Sequence, residues 1–352
     1  MQKMQKKARL LRLLSLILLL IPYLLYVGFV IHGNRGPVDY ETFMEIGHRL
    51  IVGSQVYSEN SYYPIPFVMI FALFSWLPRP ISMAVWLLAP PVTALLITGG
   101  NPFVLLFAPL FGHFVGGQTA VFGMLGLWGY RKHVEPNKAM GGVFLALTLL
   151  KPQLGIVPLG FAAVQWWKDL RLHKGIPVQA WAWTLTMALI YLPGFLLMPD
   201  WLSQWLSHPR PLFERAMSGF VPRTLLFFFT PATVIYWSVL AGLAVLLLLG
   251  IWLLNHRQIP LDAAVLWGFI VNPLVHDYDL IQIIPLLEKP VLQWIAVLLS
   301  IPGWMVILFA YTNDSAWYVF TIIAPGILCA LLYQKQKALT QLAQAQLSDA
   351  AR

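Results

Sequence analysis

Four groups of polar side chains in this otherwise apolar chain have the types and spacing for chemistry. The first is Asp39 and Glu41, near the start of a polar stretch from His32 to Phe67 that also carries Tyr63. The second is Gly117-Gln118 and the third Lys151-Pro152. The fourth combines Arg210, Arg215 and Arg223, from the polar stretch 199–223, with the run His276-Asp277-Tyr278-Asp279. A positioned carboxylate can take the proton of an acceptor hydroxyl. Helix starts with a nearby lysine or arginine suit a phosphate, and cations offset negative charge building on a leaving phosphate. Together the groups read as a transferase whose leaving group is a lipid phosphate. Ionisable side chains at or in a membrane are costly, which is why these few stand out.

Each group also has a purely structural reading. Asp39 follows Gly36-Pro37 and opens a helical pattern, so its carboxylate also fits an N-cap that accepts backbone N–H bonds. The two roles are compatible, because a capped carboxylate is held in place and ionised, as a base must be. Lys151 fits a snorkelling lysine at a helix end, His276-Asp277 a local polar cap, and the arginines contacts to lipid headgroups. His276, Asp277 and Asp279 could ligate a divalent metal, but their spacing is not diagnostic. No metal site and no cofactor is assigned.

The elements that must position these residues are helices. From Asp39 on, Tyr40, Phe43, Met44, Gly47, Leu50 and Ile51 share one stripe, while Glu41, Glu45 and His48 lie off it. That spacing predicts a short amphipathic helix on the membrane surface, ending near Gly53. Elsewhere, apolar runs of about 18 residues or more recur, each long enough to cross the hydrocarbon core. The composition is 59% hydrophobic and 11% charged, with mean hydropathy +0.72. The expected fold is an all-α polytopic membrane protein of about 12 transmembrane or part-spanning helices, forming one domain over 1–340 with a cytoplasmic tail, 341–352.

Charge sets the expected orientation. Lys3, Lys6, Lys7, Arg9 and Arg12 precede the first apolar run and hold the N-terminus in the cytoplasm. Alternation then puts loop 32–65 and loop 199–223 outside and the C-terminus back inside. The net charge of +9 lies in short clusters between apolar runs, including Lys168, Arg171, His173 and Lys174, and Asn255-His256-Arg257. It therefore points to membrane lipids and orientation, not to nucleic acid. Cys329 is the only cysteine, which excludes disulfides within the chain. The stretch 102–130 is interrupted around Gly112–Gln118 and reads as a broken or re-entrant element, tolerated where its backbone is buried in protein or lines a cavity.

The pattern Asp39-Tyr40, Gly53, Tyr57 and Tyr62-Tyr63-Pro64-x-Pro66, followed by Gly117-Gln118, Lys151-Pro152 and His276-x-Tyr278, resembles glycosyltransferase family 87 of the GT-C superfamily. The order of the motifs, from about Asp39 to about Pro285, carries the likeness more than any one of them. The prolines usually paired in that family are split here by Ile65, and the chain is short for the group. The resemblance implies a GT-C-like bundle in a bacterial inner membrane. It also implies an inverting transfer of a sugar, mannose by analogy, from a polyprenyl-phosphate donor to a lipid or glycan acceptor on the extracytoplasmic face. Asp39 then matches the family's base, with Glu41 completing an Asp-x-Glu pattern. His276, Lys151, Arg223, Arg210 and Arg215 are assigned to the donor phosphate, and Glu41, Tyr63, Gln118, Asp277 and Tyr278 to sugar or acceptor. The rival readings are a transporter or lipid flippase, whose paired broken helices and midplane charges do not show in the sequence, and a non-catalytic GT-C-like subunit.

Overall fold

The apolar runs fold as helices, and no strand occurs among the described residues. The computed structural model describes residues 2–58, 61–172, 175–207, 219–255, 258–310 and 314–350. Among the described residues, six helical segments of 19 to 31 residues are long and apolar enough to cross a membrane: Arg9–His32, Arg79–Ile97, Val178–Leu197, Val234–Leu254, Pro290–Phe309 and Tyr318–Ser348. Their large apolar side chains, such as Leu25, Phe29, Leu189, Leu196, Val245 and Leu298, are exposed, as expected where lipid is the solvent. The chain is an integral membrane protein. Against the dozen crossings or part-crossings expected, the described residues hold these six and three shorter apolar helices of 10–11 residues.

The chain packs as two compact units, Met1–Leu212 with Tyr278–Pro285, and Phe213–Asp277 with Leu286–Arg352. In chain order the first holds α1 (Gln2–His32), α2 (Val38–Ile51), α3 (Ile65–Phe74), α4 (Arg79–Ile97), a 3-10 turn at Pro102–Leu106, α5 (Ala108–Gly116), α6 (Val121–Lys132), α7 (Ala139–Thr148), α8 (Pro152–Arg171), α9 (Val178–Leu197) and α10 (Trp201–Ser207). The second holds α11 (Phe220–Leu225), α12 (Val234–Leu254), α13 (Leu261–Val271), α14 (Pro290–Phe309), a 3-10 segment at Asp314–Ile322 and α15 (Ile323–Ala350). In it α13 is buried almost all round, and Tyr236 donates to the Pro222 carbonyl at 3.2 Å to tie α12 to α11.

The predicted amphipathic helix is α2, and its buried stripe runs through Tyr40, Phe43, Ile46 and Gly47 against α3. Phe43 packs edge-on to Tyr63 and Phe67, at 4.9 and 5.2 Å between centroids. Burying one such side chain stabilises the contact by about 1.5–3 kcal/mol relative to water. Gly47 is required by close approach: a Cβ there would lie 2.5 Å from the Phe71 carbonyl carbon. Ile51, expected on the stripe, is 46% exposed, and Ile46 takes its place. Leu50 beside it packs with Ile46 against Val56, Tyr57, Ile65 and Val68.

The stretch 102–130 is broken as the sequence predicts. The 3-10 turn leads into α5, of nine residues, and α6, of twelve. Between them Gly117 adopts the left-handed conformation, φ 67°, ψ 36°. It caps α5 with the Gln118 N–H on the His113 carbonyl at 3.1 Å, a conformation and closure that favour glycine.

Candidate active site

The polar centre of the first unit is assembled from four breaks in helical structure. The first is the start of α2. Pro37 occupies the N-cap position, so Asp39 lies inside the first turn and makes no cap hydrogen bond, which corrects the N-cap reading. Glu41 does that work instead: the Gly36 N–H donates to its Oε1 at 2.6 Å, and Arg79 pairs with the same oxygen. Proline has no N–H to offer, so the reaching carboxylate meets the residue before it. Glu41 is thereby tied to the helix start and to α4, and Asp39 is left available.

The second break is the turn between α5 and α6. Gly117 lies against the start of α2, where an added Cβ would come within 3.0 Å of Tyr40 Cβ and 3.2 Å of Pro37 Cβ. The Trp86 indole N–H donates to the Gly117 carbonyl at 2.8 Å and fixes the turn. From it the Gln118 side chain reaches across 79 residues of sequence, and its Nε2 donates to Asp39 Oδ2. Gln118 Oε1 and the Thr119 hydroxyl are buried and find no hydrogen-bond partner among the described residues. Such atoms mark a place where water or a ligand hydroxyl completes the hydrogen bonding.

The third break is the start of α8. Proline at its first position disfavours helical dihedrals in the preceding residue, and Lys151 accordingly sits at φ −121°, ψ 87°. Its side chain, 3% exposed, forms an ion pair with Asp279, 0% exposed. The Tyr278 ring lies under the ammonium at 4.8 Å. The 3-10 segment Asp277–Leu286 supplies both partners, and Tyr278–Pro285 of it belongs to the first unit. Gln282 Nε2 donates to the Leu154 carbonyl at 3.1 Å, and Arg131 donates to the Pro285 carbonyl, which pins this segment beside α6 and α8.

The fourth break is the Tyr62-Tyr63-Pro64 turn that opens α3, with prolines at its N-cap and second positions. Tyr63 stacks on Phe67 at 4.5 Å. Burial, then the Asp39 and Asp279 carboxylates, push its phenol up, so it stays a neutral hydroxyl. The Thr119 hydroxyl is beside it without meeting hydrogen-bond geometry. At Asp39, burial pushes the carboxyl above its ordinary value and the field of Lys151 draws it back. The result is a half-buried carboxylate aligned by an amide, with a fixed cation within electrostatic reach. The arrangement suits general-base chemistry, since a base works best with a pKa raised toward the operating pH.

The chain matches no protein-family model, no curated protein and no solved structure. The family resemblance therefore rests on the sequence motifs alone. Five of the residues singled out in the sequence, Asp39, Tyr63, Gln118, Lys151 and Tyr278, gather in this centre. Glu41 is beside it but turned to Arg79.

The others are placed differently. Arg210 and Arg215 lie outside the described residues, as do His173, Lys174, His256 and Arg257. Arg223, His276 and Asp277 belong to the second unit. There the Arg223 guanidinium stacks over the Tyr318 ring at 4.7 Å, and Tyr318 donates to the Arg223 carbonyl. No group of three or more histidine, cysteine or acidic side chains is placed to hold a metal ion among the described residues.

The sequence reading missed two features. In the sequence Asp279 shows only a loose metal-ligand spacing, whereas in the structure it is ion-paired with Lys151. Thr119, next to Gln118, carried no signal at all, being one more small polar residue in an apolar stretch.

Proposed function

We propose that the protein is an inverting glycosyltransferase that moves a sugar from a polyprenyl-phosphate donor to a hydroxyl of a lipid or glycan acceptor. The observation that carries this reading is the Asp39 carboxylate, half-buried, aligned by Gln118 and lying in the field of Lys151. In the reaction Asp39 removes the acceptor's hydroxyl proton, and the oxygen attacks the anomeric carbon from the face opposite the phosphate. The bond from that carbon to the phosphate oxygen breaks, and the phosphate leaves with its electron pair. The neutral Tyr63 hydroxyl, Thr119 and the unpartnered Gln118 Oε1 are the groups that hold the sugar or acceptor hydroxyls. The basic N-terminus favours an extracytoplasmic reaction, and the family likeness favours mannose and a bacterial inner membrane.

The test is transfer of radiolabel from polyprenyl-phosphate mannose, glucose or arabinose into lipid extracts by membranes carrying the wild-type chain or Asp39→Asn. Label is expected with wild type alone, the variant losing at least about a hundredfold for want of a base. Transfer by Asp39→Asn at near the wild-type rate removes Asp39 as the base, and absence of label with every donor removes the transferase reading.

A further inference from the structure

A cavity of about 730 Å³ opens in the first unit between the loop that follows α2 and the junction of α9 and α10. Gly53, left-handed at φ 69°, turns the chain out of α2, and Ser54 and Gln55 line the cavity beyond it. Asp200, Gln204 and Ser207, spaced four and three residues apart, line it along one face of α10. Trp201, Leu202 and Trp205 turn the other way and line an apolar cleft. Val56 and Tyr57 complete the cavity with apolar surface, both buried and packed in one cluster with Trp201. The polar groups are held in place. Gln55 Nε2 donates to the Tyr57 carbonyl at 3.1 Å, and Gln204 Nε2 donates to Asp200 Oδ2 at 2.7 Å.

The lining carries one negative charge, Asp200, and no positive one. Among the described residues Asp200 forms no ion pair. Arg49, next to Leu50 of the lining, is held by Glu45 and Ser58. The carboxylate therefore disfavours a phosphate or any other anion. A bare metal ion would leave most of the volume empty, and no set of three ligating side chains is placed for one among the described residues. What fits is a neutral molecule with many hydroxyls and an apolar face, which describes a sugar. Carboxylate and carboxamide oxygens accept from sugar hydroxyls, serine hydroxyls donate or accept, and the C–H face of the ring packs on apolar surface. The volume is that of an ordinary small-ligand pocket and exceeds a single hexose.

We propose that this cavity binds a neutral saccharide and holds a glycan acceptor by a part remote from its reacting hydroxyl. The binding stands on the cavity alone, and the acceptor role rests on the transferase reading. No residue of the Asp39 centre lines the cavity. The connection runs through α10. Gln204 lines the cavity, and the next residue, Trp205, donates from its indole to the Tyr62 carbonyl at 2.9 Å, beside Tyr63 of the centre. In the orientation expected from the N-terminal charges, the cavity opens on the extracytoplasmic side, where glycans are met.

The experiment has two arms on the full-length protein in nanodiscs. The first needs no donor and titrates mannotriose, maltotriose and glycerol 3-phosphate by calorimetry. Wild type is expected to bind a trisaccharide saturably and to ignore glycerol 3-phosphate. Binding should weaken at least about tenfold in Asp200→Ala, which loses hydrogen bonds to a charged group, and vanish in Gln204→Trp, which fills the cavity. Asp39→Asn should bind as wild type does. Unfolding without ligand checks that each variant folds, and Gln55→Trp fills the cavity from its other side if Gln204→Trp does not. Absence of trisaccharide binding, binding that survives a folded cavity-filling variant, or a preference for glycerol 3-phosphate overturns the proposal. The second arm offers the bound trisaccharide as acceptor with the labelled donors. Asp200→Ala should raise its KM at least about tenfold with kcat within about twofold of wild type. A fall in kcat at unchanged KM, or label that enters lipid and never the trisaccharide, overturns the acceptor role. If no donor supports transfer, the transferase reading fails and the first arm still decides the cavity.

Discussion

The Lys151–Asp279 pair allows a prediction that depends on no assumption about function. Both side chains are out of solvent, 3% and 0% exposed, and they come from positions 128 residues apart. Lys151→Met removes the charge and keeps an unbranched apolar chain of similar length, leaving Asp279 buried without its cation. Breaking a buried pair from one side costs about 3–5 kcal/mol, because the surviving charge loses its partner but not its burial. Asp279→Leu strands the ammonium on the Tyr278 ring, whose cation–π attraction returns about 0.5–2 kcal/mol and makes this the milder of the two losses. Replacing both, Lys151→Met with Asp279→Leu, removes the Coulomb attraction and both desolvation costs together, so the double variant should lie within about 1–2 kcal/mol of wild type. The two singles and the double form a cycle whose coupling is the quantity of interest. Reversible denaturant unfolding in micelles, followed by tryptophan fluorescence, measures it at one detergent and protein concentration. A double variant as unstable as the sum of the singles shows no coupling and refutes the buried ion pair.

Other outcomes follow from the same geometry. Gln118→Leu removes the donor to Asp39 at nearly constant volume, and transfer should fall about tenfold to a hundredfold with the protein still folded, since a misoriented base loses much of its effect. An unchanged rate would detach Gln118 from the base. Because burial raises the Asp39 carboxyl, the pH–rate profile should have an acid limb above the ordinary carboxylate range, absent from any residual activity of Asp39→Asn. The sign for stability runs the other way. A carboxyl with a raised folded pKa favours folding below its unfolded value and loses that contribution as pH rises through the folded one, so Asp39→Asn should be at least as stable as wild type near neutral pH. Gly47→Ala places a methyl 2.5 Å from the α3 backbone and should destabilise the α2–α3 contact by about 1–3 kcal/mol, read by unfolding and by faster proteolysis at loop 52–58.

The sequence by itself determined the solvent and the building material. Apolar runs too long for a soluble core required helices in a membrane, and the charges had to sit where those runs stop. It also located the breaks that matter, because proline and glycine act locally: Pro37 at the start of α2, Pro64 and Pro66 at α3, Gly117 after α5 and Pro152 at α8. That is why Asp39, Tyr63, Gln118 and Lys151 could be singled out by residue type and turned up in one place. Local rules did not settle which of two acids does what. Asp39 and Glu41 are two residues apart, and either could have capped α2. The proline at the N-cap, with Arg79 arriving from α4, turned Glu41 to the helix start and left Asp39 to Gln118. Nor did spacing reveal that Lys151 is answered by Asp279, since an ion pair across 128 residues exists only once Gln282 and Arg131 pin the returning segment beside α8 and α6. Helix boundaries are written in a few neighbouring residues. The pairing of charges between those boundaries is a property of packing, and only the tertiary structure decides it.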